Sequence, residues 1–387
     1  MMTPIMAWRQ ITAYAQASLA VGIDPVRDCR YRGDMSDFVK TKIDGGVGYI
    51  TLNRPEALHA LNLDMCRVIL ATLRTWRNDP DVHVVVVDHA EGTRGFCAGG
   101  DIAMLSNSGQ GDASEARAFL HEEYRMNAMI KSFPKPYLTI MDGVTMGGGV
   151  GLSVHGTHRI ATERTVFAMP ETGIGLFPDV GGGWFLPRLS GELGTWLALT
   201  GARLKGSDIA AVRIATHFLP SELIANLKAQ IQKADFSFGA AEMLGELLAG
   251  MTHATPAFSL SAQMETINKC FAFDEVGLII NALIADGSDW ALEQVETLFQ
   301  KSPESVKVTL RQMREGAACQ TFEETMAMEY RIGWRKVQSP DFIEGVRAVI
   351  FDKDNMPRWR PGALADVEET DVDRYFAPLG ENELTFE

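Results

Sequence analysis

The chain has 387 residues, of which 46% are hydrophobic and 22% are charged, a composition typical of globular proteins. Its 36 Lys and Arg residues against 50 Asp and Glu residues give a formal net charge of −14. We expect neither nucleic acid nor a membrane as a partner, because this charge repels phosphate groups and no apolar run reaches the roughly 18 residues of a membrane span.

Residues 1–37 are set apart as an N-terminal extension. Residues 1–34 contain four arginines but also three aspartates. A mitochondrial targeting sequence is basic and poor in acidic residues, so this segment matches that pattern only in part. An upstream extension that precedes a second start at Met35 is the alternative. We therefore leave the segment out of the fold prediction.

The cysteines indicate a reducing compartment. They are odd in number and far apart, and none forms a CxxC pair, so neither a disulfide framework nor a zinc site is indicated. We expect the cytoplasm of a bacterium or the mitochondrial matrix of a eukaryote. The five cysteines are Cys29, Cys66, Cys97, Cys270 and Cys319.

The first predicted elements alternate between strand and helix. Val47–Leu52 has the pattern of a strand and ends at an Asn-Arg-Pro sequence typical of a loop. Leu63–Arg77 has apolar residues at helical spacing, which predicts an amphipathic helix. The β-branched run over residues 82–87 predicts a buried strand, and a glycine-rich loop follows over residues 91–101.

The same alternation continues along the chain. The pattern predicts a long helix over residues 113–132, a short strand over Tyr137–Met141, and a glycine-rich segment over residues 146–156 that opens a helix. This order of strands and helices predicts an α/β architecture with mostly parallel strand pairing.

From about residue 190, helical periodicity dominates, with interruptions around Pro256, Pro303 and Pro340. We therefore divide the chain into a catalytic α/β core over residues 38–220 and a mainly helical region over residues 221–387.

Glycine clusters at residues 97–101, 147–149 and 181–183 are the first candidates for a functional site. Glycine lets a backbone approach a ligand closely and direct N–H groups at it. The first two clusters each follow a predicted strand, and the second lies where the free amides of a helix start favour developing negative charge. They indicate an anion-stabilising site, although turns that need glycine for backbone reasons alone would show the same pattern.

Several other chemistries are disfavoured by spacing. Neither of the first two clusters has the spacing of a dinucleotide-binding or P-loop motif. The glycines around Ser153 are too widely spaced for the turn that carries a nucleophilic serine. His155 and His158 have no acidic third ligand nearby, so no metal site is predicted.

Residues 166–187 carry only two ionisable side chains, Glu171 and Asp179, among apolar and glycine residues. Carboxyl groups in such surroundings are costly to bury, so they usually cap a backbone, pair with a cation or take part in chemistry. Burial would raise their pKa toward the range useful for acid–base catalysis. The structural alternatives are a first-turn helix residue after Pro170 and a turn residue after Pro178.

Several long segments, in this order, resemble the enoyl-CoA hydratase/isomerase (crotonase) superfamily over residues 46–217. They are ITLNRPEALHALN, GFCAGGDI, DGVTMGGGVGLS and FAMPETGIGLFPDVGGGWFLPRL. The last two, together with DFIEGVRAVIFDKDNMPRWRP at residues 341–361, look specifically like the 3-hydroxyisobutyryl-CoA hydrolase branch.

The resemblance implies a crotonase-like fold, which is a spiral of ββα units, followed here by the mainly helical C-terminal region. In this superfamily two backbone amides bind the thioester oxygen, and the matching positions are Gly100 and Gly148. Superfamily members are often trimers or hexamers, so a homo-oligomer is consistent with the resemblance.

The departures from the hydratase pattern are informative. Hydratases of this superfamily use two glutamates; Gly151 stands at the first position and Glu171 at the second. Asp179 stands where hydratases carry glycine, as in the hydrolase branch. That branch also has a glutamate near the acyl pocket, here Glu123, for which a solvated helix face is the alternative. Ala98, in the loop of the first amide, is expected to contact the substrate.

The expected reaction is hydrolysis of a short β-hydroxyacyl-CoA thioester, with 3-hydroxyisobutyryl-CoA as the expected substrate, as in valine breakdown. It requires no metal or redox cofactor, since CoA is part of the substrate. Glu171 would act as general base or as nucleophile, and Asp179 would assist it. Two other functions stay open: an enoyl-CoA hydratase or isomerase, which Gly151 disfavours, and a non-catalytic crotonase-fold subunit, which the acidic pair disfavours.

Overall fold

A computed structural model describes residues 35–251 and 257–386 of the chain. Residues 1–34 and the predicted interruption at Pro256 lie outside the described residues. The strands are β1 Val39–Asp44, β2 Val47–Leu52, β3 Val84–His89, β4 Tyr137–Met141, β5 Val144–Met146, β6 His158–Ala161, β7 Val166–Ala168, β8 Leu204–Lys205 and β9 His217–Phe218.

The helices belong to two groups, one within the predicted core and one after it. The first group is α1 Leu63–Arg77, α2 Ile102–Gly109, α3 Ser114–Lys131, α4 Gly148–Ser153, α5 Gly182–Phe185, α6 Leu193–Thr200 and α7 Ser207–Ala211. The second group is α8 Ile224–Lys233, α9 Ala240–Met251, α10 Met264–Cys270, α11 Val276–Asp286, α12 Asp289–Gln300, α13 Pro303–Ala318, α14 Phe322–Lys336, α15 Pro340–Val346 and α16 Glu369–Phe376.

The strands form two sheets. The larger sheet has the order β1-β2-β3-β4-β6-β9, and all its pairings are parallel except that of the β1–β2 hairpin. The smaller sheet has the order β5-β7-β8. Between β4 and β7 the chain passes repeatedly from one sheet to the other, with α4 between the strands, which makes the ββα spiral. The predicted fold class and the mostly parallel pairing are confirmed.

The central strand β3 is buried on both faces, as its run of valines predicts. Successive side chains of a strand point to opposite faces. Val85 and Val87 belong to the main hydrophobic core, whereas Val84 and Val86 pack in a second cluster that includes side chains of α8 and α9. Helices from the C-terminal region therefore cover one face of the catalytic sheet.

The predicted element bounds hold with small shifts. The strand predicted over residues 82–87 begins two residues later, because the Val82 amide donates to Asp79 O in a turn. The helix predicted over residues 113–132 is observed as α3, one residue shorter at each end. Helix α2 and strands β1 and β5 to β9 were not predicted. Strands β5 to β9 have only two to four residues, which is too short for a clear alternation of side chains.

The C-terminal region is mainly helical, as predicted. After β9 the described regular elements are all helical. Pro303 and Pro340 are the first residues of α13 and α15, each preceded by a serine whose hydroxyl accepts a backbone N–H bond. Proline fits this position because the first helical N–H has no partner within the helix. The main core contains side chains from both sides of the predicted boundary at residue 220, which itself remains a prediction.

Two further features concern the described part of the chain. No helix in it is both long and apolar enough to cross a membrane. The four cysteines that the structure describes, Cys66, Cys97, Cys270 and Cys319, are free thiols.

Candidate active site

Two glycine turns present backbone amides at the centre of the site. The Leu61 amide donates to Gly99 O and the Asp101 amide donates to Leu61 O, both at 2.8 Å. In this parallel bridge the N–H of Gly100 points away from Leu61. Gly148 is the first residue of α4, where an N–H has no partner within the helix. Within residues 35–251 and 257–386, neither amide donates a hydrogen bond.

The two turns pack tightly against each other. A Cβ placed on Gly147 would lie 3.3 Å from Gly99 Cα, and one placed on Gly148 would lie 3.3 Å from the carbonyl carbon of Gly99. Gly147 also has φ +44°, which strains any residue with a Cβ. Two unpaired amides on adjoining glycine turns are the arrangement that stabilises an oxyanion.

Glu123 and Glu171 lie against these turns. A Cβ on Gly148 would be 2.5 Å from Glu123 Oε1, and a Cβ on Gly147 would be 3.3 Å from Glu171 Oε1. Glu123 is only 2% exposed, so the solvated helix face considered for it is wrong. In the described part of the chain, Glu123 Oε1 and Glu171 Oε2 are buried without a hydrogen-bond partner. Both groups are therefore free to receive a ligand.

Asp179 joins the same cluster from another direction. It follows Pro178 in a turn, and the buried hydroxyl of Tyr124 donates to its Oδ2 at 2.9 Å. Tyr124 is the neighbour of Glu123 on α3, so one helix contacts both the Gly148 turn and the Asp179 turn. Tyr124 was not among the predicted site residues, although it lies beside Glu123 in the sequence.

Burial and neighbouring negative charge raise the pKa values of the carboxyl groups in this cluster. Burial and the negative charge of Asp179 raise the pKa of Glu171 well above its usual range. Burial, Asp179 and Glu171 do the same to the pKa of Glu123. Burial raises the pKa of Asp179 only to about 6, because the Tyr124 hydroxyl donates to the ionised form. The Tyr124 hydroxyl thus favours the ionised form of Asp179.

Gly151 occupies the position where hydratases of the resembled superfamily carry their first glutamate. A Cβ there would lie 2.7 Å from Asn127 Nδ2 and 2.8 Å from Val180 Cβ. A glutamate side chain has no room at this position. The structure thus supports the conclusion from sequence that the first hydratase glutamate is missing.

Ala98, the remaining predicted substrate contact, lies in the loop that leads to Gly100. Its amide donates to Leu58 O at 3.0 Å, which ties this loop to the segment between β2 and α1. The structure thus brings Ala98, Gly100 and Gly148 to one place. The roles predicted for all six site residues remain predictions.

Side chains of the C-terminal region hold the turn that carries Asp179 in place. Glu329 on α14 is fully buried, and its two carboxylate oxygens accept the amides of Gly181 and Gly183, each at 2.7 Å. Gln312 on α13 donates to Pro178 O at 2.7 Å and to Glu329 Oε1 at 3.1 Å. No sequence signal marked these residues, because they lie more than 130 positions from the turn.

The turn that carries Glu171 is held in a similar way. Glu171–Ile174 forms a short 3₁₀ helix. A Cβ on Gly345 of α15 would clash with the backbone of Ile174, and one on Gly175 would clash with the backbone of Asp341. Helix α15, which belongs to the C-terminal segment that carries the resemblance, therefore packs backbone to backbone on this turn.

A separate open cavity of about 590 Å³ lies at the carboxyl ends of β3 and β4. Its rim carries the ion pair of Lys228 with Asp88, at 2.5 Å, and the ion pair of Arg164 with Asp142. None of the six predicted site residues lines it. The acidic cluster is therefore distinct from this cavity.

The chain is similar to known proteins of the family that its sequence resembles. A family model described as "Enoyl-CoA hydratase/isomerase" matches residues 47–376. The chain is 43% identical to 3-hydroxyisobutyryl-CoA hydrolase, mitochondrial, of Gallus gallus, with 98% of each chain covered. It is 45% identical to the protein of that name from Homo sapiens, with 91% of this chain and 92% of the human protein covered.

Two solved structures with other names are also similar. A carnitinyl-CoA dehydratase from Mycobacterium thermoresistibile is 41% identical with a TM-score of 0.85, covering 91% of this chain and 99% of its own. An enoyl-CoA hydratase from Rhodobacter sphaeroides is 41% identical with a TM-score of 0.82, covering 90% of this chain and 100% of its own.

We expect Glu329→Gln to lower kcat about tenfold, equivalent to about 1.4 kcal/mol, with KM changed less than about twofold. The variant keeps the volume but turns one acceptor oxygen into a donor that faces a backbone N–H, so the Asp179 turn loses one anchor. Steady-state thioester hydrolysis measures the effect.

Glu304→Gln is the matched control. Glu304 is also buried, at 4% exposed, but it contacts Lys336, Arg374 and Tyr375 and not the Asp179 turn. A fall in kcat of equal size in Glu304→Gln would mean that general destabilisation explains the result.

Proposed function

The chain belongs to the enoyl-CoA hydratase/isomerase family, and we propose that it is a thioester hydrolase that converts 3-hydroxyisobutyryl-CoA and water into 3-hydroxyisobutyrate and CoA. The observation that carries the proposal is the cluster of Glu171 and Asp179 beside two unpaired glycine amides, with Gly151 in place of a hydratase glutamate. The relatives at 43–47% identity that bear the name of this hydrolase support the substrate.

The thioester carbonyl oxygen accepts hydrogen bonds from the amides of Gly100 and Gly148. These donors stabilise the negative charge that develops on this oxygen as the carbonyl carbon becomes tetrahedral. They are part of rigid turns, so little reorganisation is needed, and removing one such donor typically costs roughly a hundredfold or more in rate.

Glu171 drives the attack by one of two routes. As a general base it takes a proton from water while the water oxygen bonds to the carbonyl carbon. As a nucleophile its oxygen bonds to that carbon and forms a mixed anhydride, which water then opens. In both routes the carbon–sulfur bond breaks, the thiolate of CoA leaves with the bonding electrons and takes up a proton, and the acid is released.

The other side chains position the reactants. Asp179, held by Tyr124, binds the attacking water or the substrate hydroxyl. Glu123 and Ala98 border the acyl end. This chemistry uses no metal or redox cofactor, and CoA enters as part of the substrate. Several relatives are named as mitochondrial, and we assign the activity to the mitochondrial matrix or, in a bacterium, to the cytoplasm.

Two other functions are less consistent with the site. An enoyl-CoA hydratase would need a second acid at position 151, where Asn127 and Val180 leave no room. A non-catalytic binding subunit would have no reason to keep unpartnered carboxyl oxygens buried beside free amides, since each costs free energy.

Glu171→Gln is expected to slow the turnover of saturating 3-hydroxyisobutyryl-CoA by a factor of about 10³, and Asp179→Asn by about 10², within the usual range for acid–base groups. Both substitutions preserve side-chain volume and remove the ability to accept a proton. Release of CoA thiol, followed with a thiol reagent, measures the rate.

The same preparations should not hydrate crotonyl-CoA, which is followed by loss of the absorbance of its conjugated double bond. Wild-type protein that hydrates crotonyl-CoA but releases no thiol from 3-hydroxyisobutyryl-CoA would show that the chain is a hydratase.

The pH dependence of kcat/KM provides a further test. Both routes need ionised Glu171, and its pKa is raised, so activity is lost as the pH falls through a value above the usual glutamate pKa of about 4.3. In Asp179→Asn the neighbouring negative charge is gone, so the pKa of Glu171 falls and the acid limb moves to lower pH. An acid limb at the same pH in both proteins would contradict the proposed coupling.

A further inference from the structure

Asn127 is a buried polar residue that the proposed chemistry has not used. Its side chain is fully buried, at 0% exposed, and within the described residues neither Nδ2 nor Oδ1 has a hydrogen-bond partner. An unpaired buried polar group costs about 1–3 kcal/mol. Native proteins rarely keep such a group unless a ligand or water satisfies it.

The location of Asn127 connects it to the acyl end of the site. It lies on α3 one turn after Glu123, on the same helix face. Glu123 faces Gly148, and Asn127 faces Gly151, one turn further along α4. Val180, which follows Asp179 in the chain, also packs against Gly151. Asn127 is therefore one helical turn beyond the amide that binds the carbonyl oxygen.

Asn127 is also one of several unpaired groups in this region. The two others along these turns are Glu123 Oε1 and Glu171 Oε2, both buried and without a partner in the described part of the chain. Three unpaired groups next to the glycine turns, contributed by two separate segments, are groups that a polar ligand would satisfy.

We propose that the carboxamide of Asn127 binds the β-hydroxyl group of the acyl chain and so makes the enzyme selective for hydroxylated thioesters. This inference rests on the proposed function and specifies a subsite of the same site. Asn127 lies on the facing helix α3 and supplies a polar group next to position 151, where hydratases carry a glutamate.

The dimensions of the substrate fit this placement. Three residues of an α-helix, the separation of Gly148 from Gly151, span about 4.5 Å along its axis. The hydroxyl oxygen of a 3-hydroxyacyl group lies three bonds from the carbonyl carbon, or about 3–4 Å with bonds near 1.5 Å. The rise between the two glycines is thus similar to the distance from the carbonyl carbon to the hydroxyl oxygen.

The chemistry fits as well. A carboxamide offers both donors and an acceptor, and a hydroxyl group is both a donor and an acceptor. A site built to hydrogen-bond a hydroxyl rejects an analogue without it, because its own polar groups are then left unpaired. With the hydroxyl bound by Asn127, Asp179 is left to orient water.

The test compares two thioesters that differ only in this hydroxyl, 3-hydroxyisobutyryl-CoA and isobutyryl-CoA. In Asn127→Leu, which keeps the branched shape, we expect kcat/KM for the hydroxylated thioester to fall at least about tenfold, the effect of one lost hydrogen bond. The kcat/KM for isobutyryl-CoA should change less than about twofold. Asn127→Ala gives the same comparison if the leucine variant does not fold.

Thr139→Val is the matched control. Thr139 is also fully buried with an unpartnered hydroxyl, but it lies within strand β4. It should leave the kcat/KM ratio of the two substrates unchanged.

Equal losses on both substrates in Asn127→Leu would overturn the inference and make Asn127 a scaffold residue. No loss on either substrate would also overturn it and would indicate that a buried water satisfies Asn127. Wild-type protein without preference for the hydroxylated thioester would overturn the inference together with the proposed substrate, whereas normal preference that survives Asn127→Leu would overturn the inference alone.

Discussion

The chemistry of this site follows from carboxyl groups that are buried against two glycine turns. A Cβ on Gly148 would clash with Glu123 Oε1, and a Cβ on Gly147 would be in tight contact with Glu171 Oε1. Burial and mutual repulsion oppose ionisation of the cluster, and the hydroxyl of Tyr124 stabilises the charge of Asp179. A proton acceptor with a raised pKa beside two free amides is suited to thioester hydrolysis at neutral pH.

The C-terminal helices are part of the catalytic structure as much as of the hydrophobic core. Helices α13 and α14 hold the Asp179 turn through hydrogen bonds, and α15 packs on the Glu171 turn without intervening side chains. Both acids lie on short turns with few regular hydrogen bonds of their own. Such segments are held in place by their surroundings, so the helical region has a direct role in positioning the two carboxyl groups.

The similar proteins illustrate that one fold supports more than one reaction. Relatives named as hydrolases and solved structures named as a hydratase and a dehydratase are similar to this chain at 41–47% identity. A function therefore has to be argued from the site and not from the fold. In this chain Asn127 of the facing helix lies against Gly151, so a neutral hydrogen-bonding group and no carboxyl group stands at this place.

Local spacing of residues was enough to predict the strand–helix alternation, the bounds of strand β2 and helix α1 to the residue, and the two glycine turns. Composition alone also singled out Glu171 and Asp179 as unusual carboxyl groups. The burial of Glu123, the contact of Tyr124 with Asp179, and the places of Glu329 and Asn127 at the site became visible in the folded chain alone. These contacts join segments far apart in the chain, and no local pattern records which distant side chain will lie against a given turn.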